Sequence, residues 1–281
     1  MQHTSSSQPK AYYNKEFLFS PDARTIRILA EYLEPQRRLR KHKIRGTIVM
    51  FGSARALPPE DLAVEVLRTR EQIDKAPPAE AQRLLRHISS MERMSAYYAE
   101  AAELARLLTL HFNGASDGRE RHVICSGGGP GIMEAANRGA HEAGGKTVGF
   151  GISLPHEQTI NRYIDPSLAF EFHYFFMRKY WFMYLARALI VFPGGFGTID
   201  EFFEMLTLVQ TRKVTKNLPI ILYGSRYWEE VIRWDVMQDW GVISPEDVNL
   251  FKYCDTPEQA FEYLVKEIKP YGSETGATSP E

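Results

Sequence analysis

The sequence has few of the features that mark secreted, membrane-spanning or nucleic-acid-binding proteins. Only two of its 281 residues are cysteines, Cys125 and Cys254, which is too few for a disulfide framework and favours a reducing cytoplasm. The first residues lack the basic and then apolar pattern of a secretory signal, and the uncharged run of residues 188–199 is too short to cross a bilayer. Thirty-four Lys and Arg against 35 Asp and Glu give a net charge of -1. We therefore expect no membrane and no nucleic-acid partner.

Several catalytic and cofactor motifs are also missing. The turn SGGGPGIM is not a GxGxxG dinucleotide fingerprint, because Ile132 stands three positions after Gly129, where glycine is required. The stretch AHEAGGKT has Ala140 in place of the first glycine of a phosphate-loop motif. The histidines show no ligand spacing, the two cysteines are far apart, and there is no GxSxG elbow. These absences argue against a dinucleotide enzyme, a metal site and a serine hydrolase, and we expect no cofactor.

The alternation of apolar runs with helical patterns predicts the fold. Helical patterns cover residues 132–143, 175–188, 198–211 and 227–240. Short runs rich in β-branched residues lie around and between them and indicate buried strands: TIVMFGS, HVICSGGG, TVGFGIS, LAFEFHYF, ALIVFPGG, PIILYGS and, as a candidate last strand, FKYCD. This order predicts an α/β fold with right-handed βαβ crossovers and a parallel sheet covered on both faces. Ligands of such sheets bind where the strands end, which is where GS, SGGGPG and FPGGFGT fall.

Changes in composition suggest the domain boundaries. Residues 1–45 are expected to form a helical N-terminal extension ending in QRRLRKHKIR, for which a solvated helix or an oligomer contact is favoured over a nucleic-acid patch. The main domain is predicted over residues 46–270, with a helical insertion at about 57–92 in which the two prolines of KAPPAE separate two helices. The polar tail, residues 271–281, is expected to be disordered.

The stretch VFPGGFGTIDEFFE places three carboxylates directly after a glycine-rich turn. Such turns often hold a phosphate, so the acidic residues beside it require an explanation. One explanation is structural, because Thr198 and Glu201 are spaced as a capping box and acids are favoured in the first turn of a helix. On that interpretation Asp200, Glu201 and Glu204 do no chemistry.

The preceding helical pattern favours a functional explanation. FFMRKYWFMYLARALI is apolar around nearly its whole circumference, yet Arg178 and Lys179 lie near its start, where positive charge opposes the helix dipole. Buried cations there require an anionic partner, either the carboxylates after Thr198 or a ligand phosphate. Glu201 and Glu204 share a helical face, so carboxylates and phosphate could occupy opposite sides of one pocket. This arrangement suits a ribose 5'-phosphate whose C1' becomes cationic as its N-glycosidic bond breaks.

Four motifs in order then resemble those of one family. PGGFGTIDE is similar to the PGGxGTxxE signature of the LOG (LONELY GUY) family of cytokinin riboside 5'-monophosphate phosphoribohydrolases, which are often mislabelled lysine decarboxylases. MRKYWFMYLARA resembles the family's arginine-lysine helix, and FGSAR and GGGPGIMEAANRGA resemble its first two loops. The similarity covers roughly residues 45–268. It implies a Rossmann-like, three-layer α/β/α fold and a homo-oligomer, a dimer or higher.

The resemblance also implies the reaction, which is hydrolysis of a nucleoside 5'-monophosphate to the free base and ribose 5-phosphate. The extension and the inserted helices look like those of longer bacterial relatives, some of which act on AMP and other monophosphates. An AMP-like nucleotide or a cytokinin riboside monophosphate is therefore the expected small-molecule partner. Two departures leave the base specificity open: Asp200 replaces a common glutamate, and FFMRK replaces a pattern that usually begins with Met and His.

Candidate site residues follow by position. Glu201 would be catalytic, holding the ribose hydroxyls, stabilising positive charge at C1' and orienting or deprotonating a water. Arg178, also catalytic, would engage the phosphate or ribose and keep Glu201 ionised. Glu204 is either a partner of this site or a helix-surface acid. The phosphate-binding turn falls on Gly194, Gly195, Gly197 and Thr198, and the other substrate-binding candidates are Gly52, Ser53, Arg55, Gly128, Gly129, Met133, Lys179 and Glu204.

Two alternative functions remain compatible with the pattern. A non-catalytic carrier of a nucleotide or of molybdenum cofactor could use the same fold and pocket, although a pure anion binder gains nothing from Glu201 facing its ligand. An amino-acid decarboxylase is the other alternative, and against it no lysine has a recognisable pyridoxal-phosphate context.

Overall fold

The computed structural model describes residues 10–113, 122–153 and 160–268, along which strands alternate with helices. The strands are β1 (Gly46–Phe51), β2 (His122–Ser126), β3 (Thr147–Ile152), β4 (Ala169–Phe172), β5 (Ala186–Val191), β6 (Ile220–Tyr223) and β7 (Lys252–Cys254). They form one sheet in the order β4-β3-β2-β1-β5-β6-β7, and each neighbouring pair is parallel. The predicted parallel sheet is confirmed, including its last strand.

Helices cover both faces of this sheet. The α-helices of the described residues are α1 (Lys15–Phe19), α2 (Arg24–Lys41), α3 (Pro59–Ile73), α4 (Pro78–Asn113), α5 (Ile132–Glu142), α6 (Phe175–Leu185), α7 (Phe196–Gln210), α8 (Ser225–Val231), α9 (Trp234–Asp239) and α10 (Pro257–Glu267). The helix pair predicted on either side of the two prolines is present as α3 and α4. No helix within these ranges has the length and apolar character needed to span a membrane. The tail predicted to be disordered, residues 271–281, lies outside the described residues.

Two predicted helix bounds are wrong. The helix predicted over residues 175–188 ends with α6 at Leu185, because the chain from the next residue onward pairs with β1 as strand β5. The helix predicted over residues 227–240 is interrupted at Ile232, whose φ of -119° and ψ of 120° are extended. The interruption divides that segment into α8 and α9.

Side chains of β1 alternate between two buried cores, as expected for a strand covered on both faces. Val49 and Phe51 belong to one core, where the Phe51 ring meets the ring of Phe182 edge to face at 4.8 Å. Ile48 and Met50 belong to the other core, which includes residues of α4, α5 and α10. The three layers predicted from the resemblance are therefore present.

The strand order creates a crevice beside β1. After β1 the chain builds outward through β2, β3 and β4, and it then returns to the opposite side of β1 with β5. Ligands of open α/β sheets bind outside the carboxyl ends of the strands at such a switch point. The loops that follow β1, β2 and β5 meet at this edge.

Candidate functional site

The three loops at the carboxyl edge of the sheet interlock through their backbones. The N–H of Ser53, after β1, donates to the carbonyl of Pro193, after β5, at 3.0 Å. The Ser53 carbonyl accepts from the N–H of Ile132 at 3.0 Å, which joins the first loop to the start of α5. The sequence-predicted residues of all three loops are thereby brought to one edge, although the loops are far apart in the chain.

The glycine turn after β5 leads directly into α7. Gly194 is buried, and a Cβ atom there would lie 2.3 Å from Thr198 Oγ1, so the turn closes only with glycine. Gly195 and Gly197 are exposed, and a Cβ at either would meet nothing within 4 Å. Gly195 is the N-cap of α7 and makes no side-chain cap. Bare backbone at a helix N-terminus is the arrangement that binds phosphate in many proteins.

The helix bounds correct one interpretation of the sequence. Because α7 begins at Phe196, Thr198 lies inside the first turn and is not the N-cap. The capping box expected between Thr198 and Glu201 is therefore not formed. Glu201 instead projects from the second turn, one turn of about 5.4 Å beyond the glycine backbone. Side chains of a helix lean toward its N-terminus, so this carboxylate leans toward the turn.

Opposite charges from α6 and α7 meet in a cluster that is buried at Glu201 and open to solvent at Asp200, whose side chain is 60% exposed. Arg178 Nη2 donates to Glu201 Oε1 at 2.8 Å, and Lys179 Nζ lies 3.5 Å from Glu201 Oε2. Lys179 Nζ also lies 2.8 Å from Asp200 Oδ2 and contacts Glu204 Oε2. The side chains of Glu201, Arg178 and Lys179 are only 5%, 14% and 16% exposed. The predicted need of the two cations for anionic partners is met by these carboxylates.

The balance of charge in this cluster leaves a negative excess. Three carboxylates surround two cations, so one negative charge is not compensated within the cluster. Burial alone would lower the pKa of Lys179, but the hydrogen bonds that its ammonium donates to Asp200 and Glu204 and the charge of Glu201 outweigh burial and raise it. Lys179 is thus held as an ammonium. The cluster as a whole is complementary to a group that gains positive charge.

Arg178 keeps one donor for a further contact. Its Nε is buried and has no hydrogen-bond partner among the described residues. The guanidinium lies 5.6 Å from the ring of Phe175 and 5.4 Å from that of Phe182, which flank it on α6. A buried donor without a partner is costly, so it is a candidate contact for a substrate oxygen.

The loop after β2 is held by a buried polar network that sequence reasoning missed. Asn161 Nδ2 lies within hydrogen-bond distance of the carbonyls of Gly128 (3.0 Å) and Gly129 (3.1 Å). The Gly128 N–H donates to Ser126 Oγ at 3.0 Å, and Ser126 Oγ donates to Asn137 Oδ1. Gly128 and Gly129 are both buried, and these hydrogen bonds of their backbone groups hold the loop in its conformation. One residue in the sequence could have indicated this network: Asn137 is a polar residue on the apolar face of α5.

The remaining sequence-predicted residues line the same edge. Gly52 is buried where a Cβ would lie 2.6 Å from the Ile132 side chain, which explains why glycine stands there. Met133 is half-buried, and its Sδ would lie 2.7 Å from a Cβ at Gly127. The side chain of Arg55 is exposed, and its backbone N–H donates to Ser53 Oγ at 3.1 Å.

A tyrosine outside the predicted set supports the glycine turn. Tyr227 Oη, from α8, donates to the carbonyl of Gly194 at 2.6 Å. This bond fixes the peptide that precedes the exposed glycine backbone. No local pattern connects a tyrosine to a turn 33 residues earlier, so the sequence carried no signal for it.

Gly131 offers a stability test of how tightly the loops interlock. Its φ is +71°, and a Cβ there would lie 2.3 Å from the Ser53 carbonyl oxygen, whereas Gly144, with φ +72°, has nothing within 4 Å. Gly144→Ala should cost about 1–2 kcal/mol of unfolding free energy for its left-handed backbone alone. Gly131→Ala should cost about 1–3 kcal/mol more, because backbone must move. Urea denaturation of both variants measures the difference, and equal losses would show that the loops are not tightly packed.

This chain is similar to known proteins in sequence and in fold. Residues 133–264 match the family model described as "Possible lysine decarboxylase". An uncharacterized protein of Archaeoglobus fulgidus is 31% identical over 110 residues, 38% of this chain and 68% of that protein. The cytokinin riboside 5'-monophosphate phosphoribohydrolase LOG4 of Arabidopsis thaliana is 27% identical over 185 residues, 65% of this chain and 79% of the plant protein. The molybdenum cofactor carrier protein of Chlamydomonas reinhardtii is 16% identical, with a TM-score of 0.44, over 79% of this chain and 97% of that one.

Proposed function

This chain belongs to the LOG family, and on that premise we propose that it hydrolyses the N-glycosidic bond of a nucleoside 5'-monophosphate. The products would be the free base and ribose 5-phosphate. The observation that carries the proposal is the position of Glu201, a buried carboxylate bonded to Arg178 and one helical turn from exposed glycine backbone.

The glycine turn would hold the 5'-phosphate. The first amides of α7 point along the helix axis away from its body, and the positive end of the helix dipole favours an anion there. Thr198, buried in the first turn, could add its hydroxyl. Tyr227 keeps the turn in shape through the Gly194 carbonyl. The phosphate takes no part in the reaction, but its binding energy would position the attached sugar for it.

The carboxylate cluster would act on the other end of the sugar. As the bond from C1' to the base nitrogen breaks, the base leaves with the electron pair and C1' gains oxocarbenium character. The excess negative charge of the cluster stabilises that cation. Glu201 would orient a water and take its proton as the water oxygen bonds to C1', and the departing base would take up that proton in turn. Arg178 would hold Glu201 in place through its hydrogen bond to Oε1.

The arrangement of Lys179 argues against the decarboxylase label. A Schiff-base lysine must be available as a neutral amine, which requires a lowered pKa. The pKa of Lys179 is raised by its carboxylate partners. Lys216, which lies close in the chain to α7, donates to the carbonyls of Met183 and Tyr184. Neither lysine is placed to bind pyridoxal phosphate.

The family premise also supports a cytoplasmic homo-oligomer of two or more chains. Both cysteines, Cys125 and Cys254, are free and buried, which agrees with a reducing compartment. The oligomeric state can be measured by light scattering coupled to size-exclusion chromatography.

Incubation with AMP tests the proposed reaction. We expect adenine and ribose 5-phosphate to appear in equal amounts, as measured by chromatography. Adenosine is the matched control substrate and should react at least about a hundredfold more slowly in kcat/KM, because it cannot use the binding energy of the phosphate. A panel with GMP, CMP, UMP and a cytokinin riboside monophosphate would define the base. Tight binding of AMP without release of adenine would instead identify a nucleotide carrier.

A further inference from the structure

The N-terminal extension packs directly on the helix that bears the two cations of the site. The indole of Trp181, on α6, donates to the backbone carbonyl of Glu31, on α2, at 2.9 Å. The ring of Tyr32 lies 5.5 Å from that of Tyr180 and 6.1 Å from that of Trp181. Helix α2 is therefore fixed against α6 by both polar and aromatic contacts.

A second contact joins α2 to the edge of the sheet. Arg38 Nη1 donates to the carbonyl of Ala169, in edge strand β4, at 2.9 Å. The same guanidinium lies 3.9 Å from the centre of the Phe170 ring. These contacts set the position of α2 relative to the strand that leads into α6.

The side chain of Glu31 caps α6 from outside. Its Oε1 accepts from the N–H of His173 at 2.8 Å, and its Oε2 accepts from the N–H of Tyr174 at 3.3 Å. Tyr174 is the N-cap residue of α6 and makes no side-chain cap of its own. A carboxylate that lies 142 residues earlier in the chain thus satisfies the amides at the entry to this helix.

The start of α6 is electrostatically unfavourable without this carboxylate. The first turn of α6 contains no acidic residue, while Arg178 and Lys179 follow within the next residues. Positive side chains near a helix N-terminus are opposed by the dipole, and negative charge there is favourable. Glu31 supplies the negative charge that α6 itself lacks.

We propose that Glu31 is a positioning residue of the hydrolytic site. By fixing the entry of α6, it holds Arg178, about one helical turn further on, in register with Glu201 on α7. The N-terminal extension is then a part of the catalytic apparatus and not an appended surface element. This inference rests on the proposed phosphoribohydrolase function.

The variant Glu31→Gln removes the charge and offers an amide in place of one oxygen. Both oxygens of Glu31 accept from backbone N–H groups, so the amide nitrogen of Gln would face a donor and one bond would be lost. We expect kcat for AMP to fall about tenfold with KM changed less than about twofold, because the glycine turn before α7 would supply most of the phosphate binding. Glu34→Gln is the matched control: it lies on the same helix, is 53% exposed and pairs with Nε and Nη2 of Arg38, while the Arg38 bond to the Ala169 carbonyl uses Nη1. Its kcat should stay within about twofold of the wild type.

A count of binding sites separates positioning from loss of folded protein. A smaller folded fraction would lower kcat and, in equal proportion, the number of AMP-binding sites found by isothermal titration calorimetry. If Glu31→Gln only misplaces Arg178, the full number of sites remains while kcat per site falls. Glu34→Gln should keep both the number of sites and kcat per site.

Glu31→Asp provides the test if Glu31→Gln does not fold. It keeps the charge but shortens the reach, so its kcat should lie between those of the wild type and Glu31→Gln. A wild-type kcat per binding site in these variants would overturn the positioning role while leaving the proposed function standing. If the wild-type protein releases no base from any monophosphate, the proposed function fails first and the positioning role fails with it.

Discussion

Glu201→Gln is expected to reduce kcat for AMP at least about a hundredfold, the scale of an essential general base or charge stabiliser. The amide has the size of the carboxylate and its oxygen can still accept from Arg178, so the pocket keeps its shape. It cannot take a proton from water, and it supplies no negative charge to a cationic C1'. AMP binding, measured by isothermal titration calorimetry, should change only a few-fold.

Glu204→Gln is the control for this experiment. Glu204 is on the same helix and contacts Lys179, but its side chain is 37% exposed and Arg178 bonds to Glu201. Its removal also takes one negative charge from the cluster, so a general loss of charge would affect both variants alike. We expect Glu204→Gln to retain kcat within about tenfold. Equal losses in the two variants would contradict the specific role assigned to Glu201.

Arg178→Met is expected to destabilise the protein by about 3–5 kcal/mol, the usual cost of removing one partner from a buried ion pair. The loss leaves Glu201, whose side chain is 5% exposed, with only the more distant Lys179 ammonium at 3.5 Å. Urea denaturation of the variant and of the wild type measures this loss of unfolding free energy.

Combining the two substitutions tests whether the pair acts as a unit. In Arg178→Met/Glu201→Gln no charge is stranded, so the double variant should be more stable than the sum of the single losses predicts. Arg226→Met is a control, because its ion pair with Glu230 is exposed on both sides and should contribute less than about 1 kcal/mol. Strict additivity of the two site variants would show that the pair is not coupled.

The sheet could be predicted from the sequence because its strands are buried on both faces. Residues such as Ile48, Val49 and Ile190 are fully buried, and continuous apolar runs of this kind are distinct from the helical patterns between them. Helix bounds were harder to predict. No glycine or proline marks the break at Ile232, and at Thr198 the usual preference for threonine as an N-cap was overridden by the glycine turn.

The core of the site was accessible from the sequence for an electrostatic reason. Two cations at the start of an apolar helix require partners, and three carboxylates follow the glycine turn that comes after this helix. The residues that hold the site in place from other parts of the chain could not be predicted from the sequence. Glu31, Asn161 and Tyr227 reach it from distant segments, and nothing in their local sequence distinguishes them from surface or core residues. Such contacts depend on the packing of whole helices.

The most direct test is a crystal structure of Glu201→Gln with AMP bound. The 5'-phosphate should lie on the backbone amides that follow Gly195, with C1' beside the side chain at position 201 and Arg178 contacting the ribose or phosphate. The structure would contradict the account if the phosphate lay elsewhere, or if the side chain at position 201 were turned away from the sugar.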